Sequence, residues 1–183
     1  MRDFALQSRS PLPDTVPQKP LAKGRTATVS LSFPPQGHVL HVLAARDAGD
    51  LTVSLAAISD GSANSVRFAG LGQWFIVGDA PLSAADVAAH ASALAGKASI
   101  FDQSHGRTRI GISGGDVETV LAKGTAVDLD LSQFPVGRSA ITLVGHMSVH
   151  LTRTAGDAFE LMVLRSFAES LWDDLLRMSA EFR

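Results

Sequence analysis

The side chains best equipped for chemistry in this sequence are six histidines, a Ser104-His105 pair and two closely spaced arginines, Arg107 and Arg109. With no cysteine in the chain, thiolate nucleophiles, disulfides and thiolate metal sites are excluded. His38 and His41 are three apart on an expected strand and so point to opposite faces. His146 and His150 share a parity, but along an extended chain they lie about 13 Å apart, too far for one ion without a bend. No carboxylate occurs from Leu131 to Gly156 to complete a ligand set. These histidines read as polar side chains on an exposed or partner-covered face, and no metal site is expected.

Ser104 and His105 are neighbours in sequence, which is not how a nucleophile and its base meet, and no lipase-like elbow surrounds them. His105 reads as a turn residue. Gly70-Leu71-Gly72 and Ser113-Gly114-Gly115 fit neither the dinucleotide fingerprint nor a P-loop, and read as turns where backbone passes closely. Arg107 and Arg109 share one face of a strand. They could bind an anion; the preferred reading is that they bridge neighbouring carboxylates or helix ends. No residue is assigned a catalytic, cofactor-binding or metal-binding role.

The elements that position these residues follow from punctuation and period. The chain of 183 residues is long enough for one domain or two small lobes sharing a core. A net charge of -2 leaves no basic footprint for nucleic acid and no polybasic membrane patch. No apolar run approaches the roughly 20 residues of a membrane span. Met1-Arg2-Asp3-Phe4 lacks the apolar core of a secretory signal, so a cytoplasmic location is expected.

Residues 1–25 hold four of the eight prolines and read as an extended arm. An N-terminal α+β lobe is expected over 26–97 and a C-terminal α+β lobe over 98–183, forming one compact unit. Strands are expected at Thr26–Phe33, His38–Ala44, Leu51–Ile58, Val66–Phe68 and Gln73–Gly78. Ser83 and Asp86 make a capping box for an alanine-rich helix reaching about Leu94. Ala98–Asp102 and Arg107–Ser113 are strands, and Asp116 starts a helix stopped by Gly124.

Residues 141–152 alternate over their whole length, with Ile141, Leu143, Met147, Val149 and Leu151 on one face and Thr142, His146, Ser148 and His150 on the other, with a bend or break near Gly145. Ala158–Leu164 is the antiparallel partner. Ser166 and Glu169 form a capping box for the last helix, whose stripe is Phe167, Leu171, Leu175, Met178 and Phe182, flanked by Trp172 and Leu176.

Three segments together resemble one family. Asp102, Ser104, Gly106 and Arg107, followed by Gly114, Asp116, Lys123 and Gly124, resemble the opening of the aminomethyltransferase (glycine-cleavage T-protein) fold. Pro135 and Gly137, then Arg165, Ser166 and Trp172, are closer to the gamma subunit of heterotetrameric sarcosine oxidase. The match spans roughly residues 66–182.

The resemblance implies an α+β fold with antiparallel or mixed sheets, helices packed on one face, and ferredoxin-like lobes. It also implies a non-catalytic subunit that braces the folate-binding part of an alpha chain, with alpha, beta and delta subunits as partners. FAD, FMN, NAD, tetrahydrofolate and zinc would belong to those partners and none to this chain. The aminomethyltransferases place an aspartate in the region corresponding to Thr142–Arg153, and this chain has no acid there. Thr125 also departs from the gamma pattern, standing where a cysteine is expected after Lys123-Gly124. The rival reading is a stand-alone folate-binding one-carbon transferase or folate-dependent repair protein. For a partner interface, Thr142, His146, Ser148, His150 and the proline arm are the candidates.

Overall fold

The computed structural model describes residues 27–182, so the proline arm lies outside the described residues. Among the described residues, nine strands form two antiparallel sheets with four α-helices. The first sheet holds β2 (His38–Ala44), β3 (Val66–Gly70), β4 (Gln73–Gly78) and β5 (Ala98–Asp102), in the order β3-β4-β2-β5. Helix α1 (Thr52–Ala57) links β2 to β3, and α2 (Ala84–Ala93) links β4 to β5. This β-α-β-β-α-β succession is the ferredoxin-like arrangement.

The second sheet holds β1 (Ser30–Ser32), β6 (Arg107–Ser113), β7 (Ser139–Val144), β8 (Met147–Ala155) and β9 (Ala158–Leu164), in the order β1-β6-β9-β8-β7. It is a three-strand meander with β6 returning beside β9, so the ferredoxin-like order belongs to the first lobe. Helix α3 (Val117–Ala122) follows β6, and α4 (Ala168–Met178) follows β9.

Each sheet carries its helices on its outer face and turns its inner face to the other sheet. Leu40, Val42 and Ile76 pack with Leu51, Leu55 and Leu94 outside the first sheet. Outside the second, Ile110, Ile112, Leu151 and Leu161 pack with Val120, Leu121, Leu171 and Trp172. Between the sheets lies a smaller apolar cluster of Val39, Phe75, Val77 and Met162. Alternation within each strand builds this layering, since a residue on the helix side is followed by one facing inward.

The lobe boundary differs from the expected one after residue 97. β5 completes the first sheet, and β1 crosses to the second, pairing Leu31 with Ile112. The division therefore falls after Asp102, and β1, the first strand among the described residues, belongs to the later lobe.

Leu51–Ile58 is helical rather than extended. Leu51, Leu55 and Ile58 recur at helical spacing and are buried, while Val53 is 81% exposed. Asp50 accepts hydrogen bonds from the Thr52 backbone N–H and hydroxyl, which starts the turn. The Ser83–Asp86 capping box forms as expected. The one at Ser166–Glu169 does not, because a 3₁₀ turn occupies Arg165–Phe167 and α4 begins only at Ala168. That shift leaves Phe167 half-exposed and moves Ala168 into the core beside Leu171, Trp172 and Leu175.

The run 141–152 divides at Gly145, whose φ of 59° allows a two-residue hairpin turn with His146. The turn resets the parity: Thr142 pairs with Val149, and Ile141 with His150. Thr142, Val144 and Val149 therefore share the outer face, whereas Ile141, Leu143, Ser148 and His150 share the inner one.

Candidate functional site

The polar chemistry of the chain gathers between the two sheets, in two adjoining clusters. The first is built around Glu160 on the inner face of β9. Arg109 Nε and Nη2 grip its two carboxylate oxygens at 2.9 and 2.8 Å, a bidentate fork, and Arg67 Nη1 of β3 adds a third bond at 2.5 Å. Arg109 Nη1 then donates to Asp79 Oδ1 at 2.9 Å and to the Pro35 carbonyl at 2.7 Å. All three central side chains are buried, with relative exposures of 3–5%. Burial alone would raise the Glu160 carboxyl, but the bonds from Arg109 and the charge of Arg67 outweigh it and hold the pKa below the usual value. This network joins β3 and the β4 end to β6 and β9, and so fixes one sheet against the other. A recess of about 210 Å³ opens beside it, lined by Asp60, Asn64, Arg67, Asp79, Arg109 and Glu160 among others.

The second cluster centres on Phe75 of β4. His150 meets the Phe75 ring edge-on at 5.1 Å between centroids, and His41 stacks at 4.7 Å. The Arg107 guanidinium lies 4.6 Å from the same ring centre. His150 Nε2 hydrogen-bonds the Phe68 carbonyl of β3 at 2.9 Å, so this histidine also ties the two sheets together. Burial, with the nearby charges of Arg67 and Arg107, pushes its pKa down to about 4 despite that hydrogen bond. Burial likewise lowers His41, against the opposing bond from Gln73 and aided by Arg107.

The sequence-selected motif residues lie at junctions of backbone. Asp102 Oδ1 accepts from the Ser104 N–H and hydroxyl, and Ser104 Oγ accepts the Val39 N–H at 3.0 Å, pinning the link between the sheets to β2. His105 sits exposed in that turn. The Gly106 carbonyl accepts the Arg165 N–H at 2.8 Å, joining the first and last motif segments. A Cβ at Gly114 would fall 2.0 Å from the Thr28 carbonyl oxygen, at a φ of 128° that side chains rarely adopt. Asp116 precedes α3 without a side-chain cap bond.

Lys123 Nζ donates to the Met178 carbonyl at 2.9 Å and pairs with Glu181. The Gly124 carbonyl accepts the Gly145 N–H at 2.8 Å, and a Cβ there would press on the Met178 sulfur. Gly137, with φ of 87°, donates its N–H to the Arg153 carbonyl, and the Pro135 carbonyl accepts the Arg138 N–H. Trp172 is buried with its ring 4.2 Å from Phe33. Ser166 lies in the 3₁₀ turn before α4.

The four interface candidates are not brought together. His150 is buried between the sheets, Thr142 faces the helix side and hydrogen-bonds Thr125, and His146 is in the exposed turn. Only Ser148 is exposed on the inner face, because the hairpin reverses the alternation that grouped the four. Of the two arginines, Arg109 bridges carboxylates as the preferred reading had it, while Arg107 does not. Among the described residues no group of three or more His, Asp or Glu side chains is placed to hold a metal ion. No helix among them is long and apolar enough to cross a membrane.

Glu160 and Arg153 were missed from sequence. Glu160 is the lone acid in the apolar strand Ala158–Leu164, a signal that it needs a buried cation. Arg153 follows the parity of Val149 and Leu151 into the helix-side core, where it pairs with Glu118 and covers the Phe159 ring at 4.5 Å.

Comparison with known proteins adds the family. Searched against curated proteins, the sequence finds no significant match. Among solved structures, a chain of the heterotetrameric sarcosine oxidase from Corynebacterium sp. U-96, in complex with pyrrole 2-carboxylate, superposes with a TM-score of 0.73 at 22% identity, covering 84% of this chain and 85% of that one. The glycine cleavage system aminomethyltransferase T from Bartonella henselae matches with a TM-score of 0.56 at 16% identity, over 82% of this chain but 46% of its own length. At those identities the likeness establishes a shared fold. The sequence profile of the sarcosine oxidase, gamma subunit family matches residues 41–181, most of the chain, and the chain belongs to that family.

Proposed function

We propose that the chain is the gamma subunit of a heterotetrameric sarcosine oxidase, a non-catalytic component that braces the folate-binding part of the alpha subunit. The family match over residues 41–181 carries this reading. In it the partners are alpha, beta and delta subunits, and FAD, FMN, NAD, tetrahydrofolate and zinc sit in those partners. The whole assembly would work in the cytoplasm, oxidatively demethylating sarcosine to glycine. Several of the motif residues support a structural role, since Ser104, Gly106, Lys123, Gly124 and Gly137 hold one stretch of backbone against another.

The rival, a stand-alone folate-binding transferase or repair protein, needs a deep pocket between the lobes with an available carboxylate. The recess that holds carboxylates, about 210 Å³, is smaller than the roughly 300 Å³ at which ligand pockets begin, and its buried acid Glu160 is gripped by Arg67 and Arg109, while the wider opening of about 540 Å³ between β3 and β7 is lined by no carboxylate. Titration of the purified chain with flavin and with a tetrahydrofolate derivative tests both readings. The expected result is no flavin spectrum and no micromolar folate binding, with the chain recovered bound to co-expressed partner subunits. Micromolar folate binding by the lone chain would revive the rival.

A further inference from the structure

Arg107 and Arg109 lie two apart on the inner face of β6, yet the fold treats them differently. Arg109 is held by two carboxylates. Arg107 has none: its Nε donates to Gln103 Oε1 at 2.5 Å and its guanidinium covers the Phe75 ring, and among the described residues no acid pairs with it. Burial lowers its pKa with no anion nearby to oppose the effect. A half-buried guanidinium without a counter-charge loses hydration and gets little in return. The neighbouring histidines offer no compensation, because His41 and His150 can only be neutral or positive.

The surroundings of Arg107 are shaped like a socket. It lines a recess of about 150 Å³ with Phe75, Ile141, Ser148, His150 and Leu164. Among the described residues no hydrogen bond engages the Ser148 hydroxyl, which leaves a donor beside the cation. The rim is apolar and open: Ile141 is 55% and Leu164 47% exposed, and Leu143, 56% exposed, continues the same face of β7. At that volume the recess is about half the size at which small-molecule pockets begin, but it has room for one side chain.

We propose that the Arg107 recess receives an Asp or Glu side chain, flanked by apolar neighbours, from a partner subunit. This rests on the assembly proposed above. The incoming carboxylate supplies the missing charge and accepts from Ser148, while Ile141, Leu143 and Leu164 bury against its flanking residues. Aromatic and apolar contacts around one desolvated ion pair are the usual form of an interface hot spot.

The test uses the full chain co-expressed with its partner subunits. Arg107→Lys keeps the charge, Arg107→Met removes it, and Ile141→Glu places an acid at the exposed rim, where it pairs Arg107 from within and repels the arriving carboxylate. Thermal melting of each free variant reports folding, and Ile141→Glu alters a surface position that the fold does not depend on. Wild type and Arg107→Lys are expected to hold the partners at physiological salt, while Arg107→Met and Ile141→Glu weaken the complex about tenfold or more. If wild type itself fails to assemble, the proposed assembly is wrong. If wild type assembles and both charge-altering variants hold their partners equally well, the assembly stands and the docking inference is overturned.

Discussion

Acid should destabilise the free chain through His150 before it does so through any carboxylate. The folded-state pKa is pushed from the ordinary 6.5 down to about 4, so the unfolded chain takes up a proton as pH falls below 6.5 while the folded chain refuses it until about 4. The unfolded state then binds more protons, and stability must fall across that window as pH decreases. At about 1.4 kcal/mol per pH unit, moving from pH 7.5 to 5 removes roughly 2 kcal/mol. Glu160 acts lower. Its folded pKa is depressed, so its contribution is intact above the ordinary carboxylate range and is lost only as pH falls through and below it. Stopping at pH 5 thus isolates the histidines. Urea unfolding at both pH values should be compared for wild type and His150→Gln, which stays neutral and can still donate to the Phe68 carbonyl. The variant is expected to lose roughly 2 kcal/mol less than wild type over the same interval, with m unchanged. His41 remains in both chains and cancels in the difference. Parallel losses in the two proteins would refute the claim that His150 is held neutral by burial.

Three further outcomes follow from the same geometry. Glu160→Gln leaves Arg67 and Arg109 buried without their shared anion, and unfolding in denaturant should show a loss of about 3–5 kcal/mol. Gly114→Ala drives a methyl into the Thr28 carbonyl in a left-handed backbone, and should lower stability by roughly 1–3 kcal/mol, read as a fall in thermal midpoint. Lys123→Met removes a largely exposed pair with Glu181, so its cost should stay below about 1 kcal/mol in the same melts.

Much of this fold was legible because strands and turns announce themselves locally. His38–Ala44 and Gln73–Gly78 are short apolar runs bounded by turn residues, Arg107–Ser113 alternates, and each appears with its expected bounds. Failures came where two periods fit the same residues or where one turn decided orientation. Leu51–Ile58 carries apolar residues at both alternating and helical positions, and only the packing of Leu55 and Ile58 against β2 and β4 selects the helix. In 141–152 a two-residue turn and a long bent strand share one alternation, so whether Thr142 faces with His150 or against it depends on Gly145 alone. The candidate site was half visible. Paired arginines called for acids, but the acid that Arg109 found is some fifty residues away on β9, and sequence spacing carries no record of that register. The same limit hid that, among the described residues, no acid pairs with Arg107.

The crossing of β1 into the later sheet makes the chain poorly divisible. Val29 and Leu31 are buried in the core of the second lobe, and the backbone N–H groups of Thr28 and Val29 donate to the Phe182 carbonyl beyond α4. A fragment cut at the link after Asp102 would therefore expose the β6 edge and leave two gaps in its interior. During synthesis, β1 must wait for β6 before it can pair, and its seat is sealed only when Phe182, beyond α4, has been made. Closure of the later lobe is thereby coupled to synthesis through Phe182, and a product that stopped before β6 would leave β1 unpaired.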